Sequence, residues 1–391
     1  MPRRVLIAFD KFKDALSAQR ASAITAREIR QLHPDWEIDI APLTDGGEGF
    51  CQILTEATRG TLESVTASGP RMETRQARIG IVDTGSLPPR ARNLLFKPET
   101  ETPAKLAVVE MAAATGLALV PQADRDPWHV SSYGTGQLIR AASELGAGAI
   151  LLGVGGSATI DLGLGALAAL GLEFRTASGE RVRPPFPASW DRISQVEGEI
   201  FSAISPIAIA CDVTNPLLGP SGAAAVYGPQ KGLRPNDLPQ LESLGERMAS
   251  LLCGHFEKDL AASTSAPGAG AAGGISFGLT VATGASLVPG FELVSAWLDL
   301  DARIDAADLV ITGEGRFDRS SLSGKGPGAI VQRARERDRQ TLIFAGAVEA
   351  DKADLSETGE IYSVTPSGTP LSEALAHADE FLAAAIAGHF S

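Results

Sequence analysis

The segment IAIACDVTNPLLGPSGAAAVYGPQKG, residues 207–232, decides the fold class. Its first four residues are apolar and alternate isoleucine with alanine, which is typical of a strand buried on both faces of a sheet. The dipeptides Asn215-Pro216 and Gly219-Pro220 then exclude an ordinary helix. Asp212 is therefore predicted just beyond the end of a strand, in a glycine-rich loop that continues to Lys231. An acid, an amide and a lysine around such a loop suit a phosphate with its Mg²⁺, while a solvated polar loop is the alternative.

Short apolar strands alternate with amphipathic helices along most of the chain. The alternation predicts a mostly parallel sheet with helices on both faces. Since 391 residues are many for a single core, we expect two domains. The strands are predicted at residues 5–9, 37–41, 149–154, 207–210, 308–312 and 341–345, and the clearest helices at 18–32, 137–145 and 163–170.

Composition excludes several classes of protein. The formal net charge is −13 and lysines and arginines form no basic stripe, which argues against a nucleic-acid partner. Three widely spaced cysteines fit a reducing compartment and no zinc pattern. No apolar run approaches the roughly 20 residues of a membrane span. We therefore expect a cytoplasmic protein without a membrane partner, and a homodimer stays open.

Five predicted strand ends are each followed by a loop of acids, lysines, hydroxyls and glycines. Ligands of open parallel sheets bind outside the carboxyl ends of the strands, so these loops are expected to form one site. Such residues suit a phosphate and its metal, although spacing alone does not assign their roles. The candidates are Asp10 and Lys13; Asp45, Gly46, Gly47 and Glu48; Gly155, Gly156, Ser157, Thr159 and Asp161; Asp212, Asn215 and Lys231; and Glu314, Arg316 and Lys325.

The stretch Ser131-Ser132-Tyr133-Gly134-Thr135-Gly136 opens the predicted helix at residue 137. Its hydroxyls and free amides either bind a carboxylate or phosphate, with Ser131 as the candidate, or cap the helix. The sequence leaves both interpretations open.

Residues 153–158, GVGGSA, also fit the dinucleotide fingerprint G-x-G-x-x-G/A, with Glu173 twenty residues beyond Gly153. Two features oppose a nicotinamide-dependent oxidoreductase. Asp161 would repel a pyrophosphate at the helix start unless a cation intervened. Glu173 lies inside a predicted strand, whereas a ribose-binding acid belongs at its end.

Taken in order along the chain, the motifs resemble the bacterial class I glycerate kinases, which phosphorylate D-glycerate with ATP. The motifs are DKFKDALSA (10–18), DGGEG (45–49), SSYGTG (131–136), GGSAT (155–159), CDVTNPLLGPSGAA with GPQKG (211–232), PGAGAAGG (267–274) and ITGEGRFD with SGKGP (311–327). The resemblance implies a Rossmann- or flavodoxin-like α/β domain of residues 1–80 and 291–391. A second α/β domain, residues 81–290, would be inserted into it, with the active site in the cleft between the two domains. It also implies Mg²⁺ with ATP as co-substrate, and 2-phosphoglycerate as product.

This chain departs from the usual pattern of these kinases at several positions. Lys11 replaces a usual serine and Asp14 a common glycine. Ile160 and Leu162 replace a usual asparagine and glycine. Residues 84–98 are read as an inserted surface segment.

On the resemblance, the expected reaction is in-line phosphoryl transfer to a hydroxyl of glycerate. Asp212 and Glu314 are the candidates near metal or substrate, and Lys13 and Lys231 the candidates for neutralising phosphate. Asp45 or Asp161 accepts the hydroxyl proton, and the backbone of residues 155–159 holds an anion. A protein that only binds a small hydroxy acid remains the non-catalytic alternative.

Overall fold

The chain folds into two compact α/β units, each built on its own mostly parallel sheet. The computed structural model describes residues 2–98, 101–318, 321, 326–349 and 360–391. Unit 1 comprises residues 1–45 with 294–391, and unit 2 comprises residues 46–293. The prediction of a mixed α/β fold with mostly parallel sheets is confirmed.

Unit 1 carries a fully parallel five-stranded sheet in the order β16-β14-β12-β1-β2. Its central strand β1 reads RVLIAF with the last five residues buried, which is the expected pattern for a strand covered on both faces. The strands are β1 (Arg4–Phe9), β2 (Glu37–Ile40), β12 (Leu309–Gly313), β14 (Gln340–Ala345) and β16 (Glu360–Ser363), with a short pair β13 (Arg316–Phe317) and β15 (Ala347–Val348) beside them.

Helices cover this sheet, and the first of them runs from Ala18 to Leu32 as predicted. Ser17 caps it, because its side chain accepts a hydrogen bond from the Arg20 amide at 3.1 Å. The helices of unit 1 are α1 (Ala18–Leu32), α12 (Leu300–Ala306), α13 (Gly326–Arg335), α14 (Leu371–Ala376) and α15 (Ala378–Phe390), and α11 (Gly290–Trp297) contains the second crossing between units.

Unit 2 carries a six-stranded sheet in the order β11-β10-β6-β5-β4-β3. Strand β10 occupies residues 207–210, as its sequence predicts, and pairs in parallel with β6 and β11. The strands are β3 (Thr61–Ser68), β4 (Thr74–Asp83), β5 (Lys105–Glu110), β6 (Ala149–Gly153), β10 (Ile207–Ala210) and β11 (Ser286–Val288), and a separate small sheet holds β7 (Glu173–Thr176), β8 (Arg181–Val182) and β9 (Ile193–Glu197).

The helices of unit 2 pack around one large apolar core. The segment at 84–98 is not purely a surface excursion, since it holds helix α3 with Ala91 fully buried. The helices are α2 (Phe50–Ala57), α3 (Pro89–Leu95), α4 (Met111–Thr115), α5 (Tyr133–Glu144), α6 (Leu164–Ala169), α7 (Ala223–Tyr227), α8 (Leu238–His255), α9 (Leu260–Ser265) and α10 (Ile275–Thr283).

The first division between units lies at residues 45 and 46, earlier than the expected boundary at residue 80. The reason is that β3 and β4 join the sheet of unit 2, where β4 pairs antiparallel with both β3 and β5. An antiparallel hairpin of this kind commonly lies at the edge of an otherwise parallel sheet. The second division, at 293 and 294, lies close to the expected residue 291.

In the described part of the chain, no helix is both long and apolar enough to cross a membrane.

Candidate active site

In unit 1, four carboxylates gather where adjacent strands end; we call Asp10, Asp45, Glu314 and Asp318 the carboxylate cluster. Asp10 directly follows β1 and Glu314 directly follows β12. These strands are parallel neighbours whose last residues, Phe9 and Gly313, lie opposite each other. Parallel pairing therefore brings two acids far apart in sequence to one edge of the sheet, as the sequence predicted.

Burial and mutual repulsion both disfavour ionisation in this cluster. Burial, and then the charge of Asp45, raises the pKa of Asp10 to about 6, although Lys11 opposes this shift. Burial raises the pKa of Glu314 to about 7; a hydrogen bond from Ser321 opposes the shift, and the charges of Asp10, Asp318 and Asp45 add to it. A site that holds several partly buried acids close together favours a bound cation.

Glu314 has the strongest requirement for a ligand within the cluster. Its Oε1 atom is buried and has no hydrogen-bond partner among the described residues. A buried unpaired carboxylate oxygen is costly, and a hard divalent cation is a natural partner for it.

Among the described lysines of unit 1, Lys11 contacts the carboxylate cluster. Lys11, which sequence reasoning did not select, places its Nζ 2.9 Å from Oδ1 of Asp45. Its backbone amide donates to Oδ1 of Asp10 at 2.7 Å, so Lys11 contacts two members of the cluster. Lys13 is exposed. Lys325 lies outside the described residues.

The predicted Arg316 forms ion pairs with two neighbouring acids. Its guanidinium lies 3.4 Å from Asp318 Oδ2 and also pairs with Glu349. Asp318, another residue that sequence reasoning did not select, is thus tied both to Arg316 and to the cluster. Asp318 could have been selected from the sequence, because it is the last residue of the GRFD motif that also contains Arg316.

In unit 2, the predicted glycines lie where two backbone segments meet. Gly155 donates its amide to the carbonyl of Gly46 at 3.0 Å. A Cβ atom on Gly155 would lie 2.6 Å from the amide nitrogen of Gly47. Glycine is required here because any side chain would separate the two segments. Glu48, in the same turn as Gly46 and Gly47, is exposed.

The loop that follows β6, residues 155–159, has the features of an anion-binding turn. Gly156 adopts a left-handed conformation with φ of +69°. The amides of Gly156 and Ser157 donate to no acceptor in the part of the chain that the structure describes. The Thr159 hydroxyl is also buried without a partner there. Successive unpaired amides around a left-handed residue form a concave site for an anion.

Lys231 is buried against this loop and is only 3% exposed. Its Nζ donates to Ser157 Oγ and to the Thr159 carbonyl, both at 2.8 Å. Burial lowers the pKa of Lys231 to about 7, while the nearby charge of Asp161 opposes the shift.

Asp161 is fully buried and its oxygens are occupied by protein donors. Oδ2 accepts from the amide and the hydroxyl of Ser132, at 2.7 and 2.8 Å, and from the Gly165 amide at 3.3 Å, while Oδ1 accepts from the Gly163 amide at 3.3 Å. Burial raises the pKa of Asp161 and these hydrogen bonds oppose the rise.

The two serine hydroxyls of the SSYGTG stretch, residues 131–136, accept hydrogen bonds from amides at helix starts. Ser131 Oγ accepts from the Tyr133 amide at 3.2 Å, and Ser132 Oγ accepts from the Ala166 amide at 2.9 Å. Both hydroxyls therefore serve helix starts, Ser131 that of α5 and Ser132 that of α6. Sequence reasoning did not select Ser132, although it lies directly beside Ser131.

The segment 207–232 positions Asp212 at the start of a helix. Asp212 Oδ2 accepts from the Phe291 amide at 2.9 Å, in the first turn of α11. A carboxylate at a helix N-terminus satisfies a free amide and interacts favourably with the helix dipole. Asn215 stabilises its own loop, because its side chain bonds to the Ser221 carbonyl at 2.8 Å and to the Tyr227 hydroxyl at 2.7 Å.

The dinucleotide interpretation of residues 153–158 fails on local geometry. In that fingerprint the glycines open a helix whose N-terminus holds the pyrophosphate. Here α6 begins only at Leu164, after an irregular segment, and it has six residues. Glu173, the proposed ribose ligand, begins β7 and pairs with Arg175 and Arg181.

Strand-end carboxylates, as in unit 1, and an anion-binding loop, as in unit 2, are each features that phosphotransferases use. Comparison with known proteins gives the same class. The sequence model of the glycerate kinase family matches residues 5–389.

Individual relatives match over nearly their whole length. A glycerate kinase of Bacillus subtilis strain 168 is 35% identical, with 97% of this chain and 94% of the relative covered. A glycerate 2-kinase of Escherichia coli K12 is also 35% identical, with 95% and 93% covered. A crystal structure assigned to glycerate kinase 2 of Salmonella typhimurium LT2 is 33% identical, with a TM-score of 0.74 and coverage of 100% of this chain and 98% of that chain.

The chain therefore belongs to the glycerate kinase family. The expectation of an enzyme of this class is confirmed, and the oxidoreductase and simple binding-protein alternatives are set aside.

Proposed function

We propose that this enzyme transfers the γ-phosphoryl group of Mg²⁺-ATP to a hydroxyl of D-glycerate, forming 2-phosphoglycerate and ADP. The observation that carries the proposal is the buried Oε1 of Glu314 in the carboxylate cluster, which has no hydrogen-bond partner among the described residues. Family membership supports the acceptor, and similarity to the glycerate 2-kinase of Escherichia coli supports the 2-position.

The carboxylate cluster suits Mg²⁺ by the chemistry of its donors. Glu314 would hold the ion with Asp10 beside it, and the ion would neutralise charge on the transferred phosphoryl group. Within the described residues no three His, Cys, Asp or Glu side chains already form a metal cage. Mg²⁺ in kinases needs only one or two carboxylates together with substrate phosphates, so this finding agrees with the proposal. Asp212, the other candidate ligand, already has one oxygen engaged by α11.

The proton acceptor is assigned by access. Asp45 is exposed and lies at the edge of the carboxylate cluster, whereas Asp161 is fully buried with both oxygens engaged. We therefore assign Asp45 as the group that accepts the hydroxyl proton of glycerate. Lys13 is exposed and free to approach a phosphate, and the 155–159 loop holds an anionic group of a substrate through its amides.

The first test is the formation of ADP by the purified enzyme. ADP should appear only when D-glycerate, ATP and Mg²⁺ are all present, and EDTA should abolish the reaction. Folded protein that forms no ADP in response to D-glycerate would contradict the proposed function.

A variant at Asp45 tests the assigned role. Asp45→Asn should lower kcat by about 100-fold or more, the usual contribution of a positioned base. Asp35→Asn, the same change at an exposed acid of unit 1, should leave kcat within about twofold. An Asp45→Asn variant of nearly normal activity would remove Asp45 from the reaction.

We further propose that the enzyme acts in the cytoplasm on these two small molecules, with neither nucleic acid nor membrane as partner. A homodimer stays a prediction, and sedimentation equilibrium would measure the oligomeric state.

A further inference from the structure

We infer that Lys231 is a positioning residue, which together with Asp161 and Ser132 forms a buried scaffold that fixes the 155–159 loop and does not itself contact phosphate. The inference rests on the proposed function, because it concerns the loop to which we assign anion binding. It changes the role expected from sequence, in which Lys231 neutralised phosphate and Asp161 was a candidate base.

The contacts of Lys231 all lead to the loop. Its Nζ holds the loop on both sides of Ala158, through the Ser157 hydroxyl and the Thr159 carbonyl. The lysine is almost fully buried, whereas a lysine that neutralises a substrate phosphate must be reachable by the substrate.

The backbone from which Lys231 extends is itself fixed. Gly232 has a φ of +91°, and a Cβ atom there would collide with the Arg125 carbonyl. Arg125 in turn donates from its guanidinium to the Gln230 carbonyl at 3.1 Å. Movement of Lys231 towards a ligand would therefore require the surrounding segment to rearrange.

Asp161 anchors the other end of the loop. Through Ser132 it connects the start of α5 with the start of α6, because Ser132 Oγ bonds both to Asp161 and to the Ala166 amide. A side chain at Gly165 is excluded, since its Cβ would lie 2.8 Å from Asp161 Oδ2. The Asp161 carboxylate thus has four protein donors and no exposed surface.

Lys231 and Asp161 are therefore both buried beside residues 157–159, and below about pH 7, where Lys231 is charged, the two opposite charges lower the cost of burying each other. Removing one of two such charges leaves the remaining one uncompensated, whereas removing both is far less costly. The double variant therefore distinguishes the two roles of Lys231. If Lys231 is part of a scaffold, removing the Asp161 carboxylate as well should restore part of the loss. If Lys231 contacts a substrate phosphate, removing that carboxylate cannot restore the lost contact.

The test is a double-mutant cycle on the full-length protein, measured about one unit below the Lys231 pKa of about 7, comparing Lys231→Met, Asp161→Asn and the double variant. Each single change should lower Tm by roughly 5–15 °C, and the double variant should recover at least half of the Lys231→Met loss. Lys258→Met, the same change at an exposed lysine of unit 2, should shift Tm by no more than about 1 °C. Losses that simply add in the double variant would overturn the inference.

Hydrogen exchange shows whether the loss is localised to the loop, and kinetics show whether the loop positions the substrate. Below the lowest Tm, Lys231→Met should speed amide exchange of residues 155–162 at least fivefold, and lower kcat/KM for D-glycerate at least tenfold. Both effects should be partly reversed in the double variant. A folded Lys231→Met protein with wild-type exchange in this loop, or a kinetic loss without any reversal, would overturn the inference.

A milder variant keeps the test decisive if Lys231→Met does not fold. Ser132→Ala removes the hydroxyl that joins Asp161 to α6 and should also speed exchange at 155–162; unchanged exchange would overturn the inference. Tm and exchange are measured without substrate. Absence of glycerate-dependent turnover would therefore contradict the proposed function alone, and the scaffold would still stand or fall on its own measurements.

Discussion

At the scale of single residues, two departures from the usual kinase pattern occupy backbone that favours glycine. Asp14 has a φ of +63° and Leu162 a φ of +54°. The resemblance to the glycerate kinases implies glycine at both positions, and the positive φ values agree with that expectation. Leu162 is only 3% exposed, and the apolar surface it buries offsets the strain, whereas Asp14 is exposed and gains no such burial.

Substitutions at Asp14 should therefore reveal the cost of this conformation. Asp14→Gly should raise the free energy of unfolding by about 0.5–1 kcal/mol, and Asp14→Ala should lower it by a similar amount, because aspartate tolerates a left-handed backbone better than alanine. Chemical denaturation measures the free energy of unfolding of the wild type and the two variants. The control is Asp35→Gly, at an exposed site of unit 1 without positive φ, which should be destabilising. Equal stabilities for all three residues at position 14 would show that the backbone there is unstrained.

The buried Lys231 should make stability depend on pH in a defined direction. Its pKa is about 7 in the folded protein and about 10.5 ordinarily, so the unfolded chain binds more protons between these values. The free energy of unfolding of the wild type should therefore rise with pH from 7 to 10.5, relative to Lys231→Met, by at most about 1.4 kcal/mol per pH unit. Below pH 7 the difference should be constant. A difference that stays flat from pH 6 to 9.5 would contradict the burial of a titrating lysine.

At the scale of secondary-structure elements, regular segments were predictable and irregular ones were not. Helix α1 and strand β10 follow from apolar periodicity and local caps, which are read within a few residues. The hairpin β3–β4 pairs within the sheet of unit 2, and this could not be read locally, because its partner β5 follows some twenty residues after β4. Pairing over such distances depends on the whole sheet, and local sequence does not encode it.

The start of α11 provides a test at this scale. Asp212 caps the helix through the Phe291 amide, so Asp212→Ala should lower the free energy of unfolding by about 0.5–2 kcal/mol. Asp212→Asn keeps an acceptor oxygen and should lose less. Thermal unfolding of both variants makes the comparison, and equal losses would contradict a capping role.

At the scale of the whole molecule, the sequence predicted which loops carry polar residues better than what each residue does. Asp10 and Glu314 both follow strands that end at a common edge, and this much of the arrangement can be read from the parallel pattern of the sequence. Lys11 and Lys13 have the same chemistry in sequence, and only the fold shows that Lys11 is the one paired with Asp45. Likewise, Asp161 is buried against the starts of α5 and α6, and Lys231 is buried against the 155–159 loop; no local pattern encodes either contact.

The phosphorus-31 NMR spectrum of a reaction mixture tests the central claim most directly. With enzyme, Mg²⁺-ATP and D-glycerate, we predict ADP signals and one new phosphomonoester signal. That signal should be a doublet from coupling to a single proton, because carbon 2 of glycerate bears one hydrogen. A triplet would place the phosphate on carbon 3 and contradict the assigned product, and a spectrum without any new phosphomonoester would contradict glycerate as the acceptor.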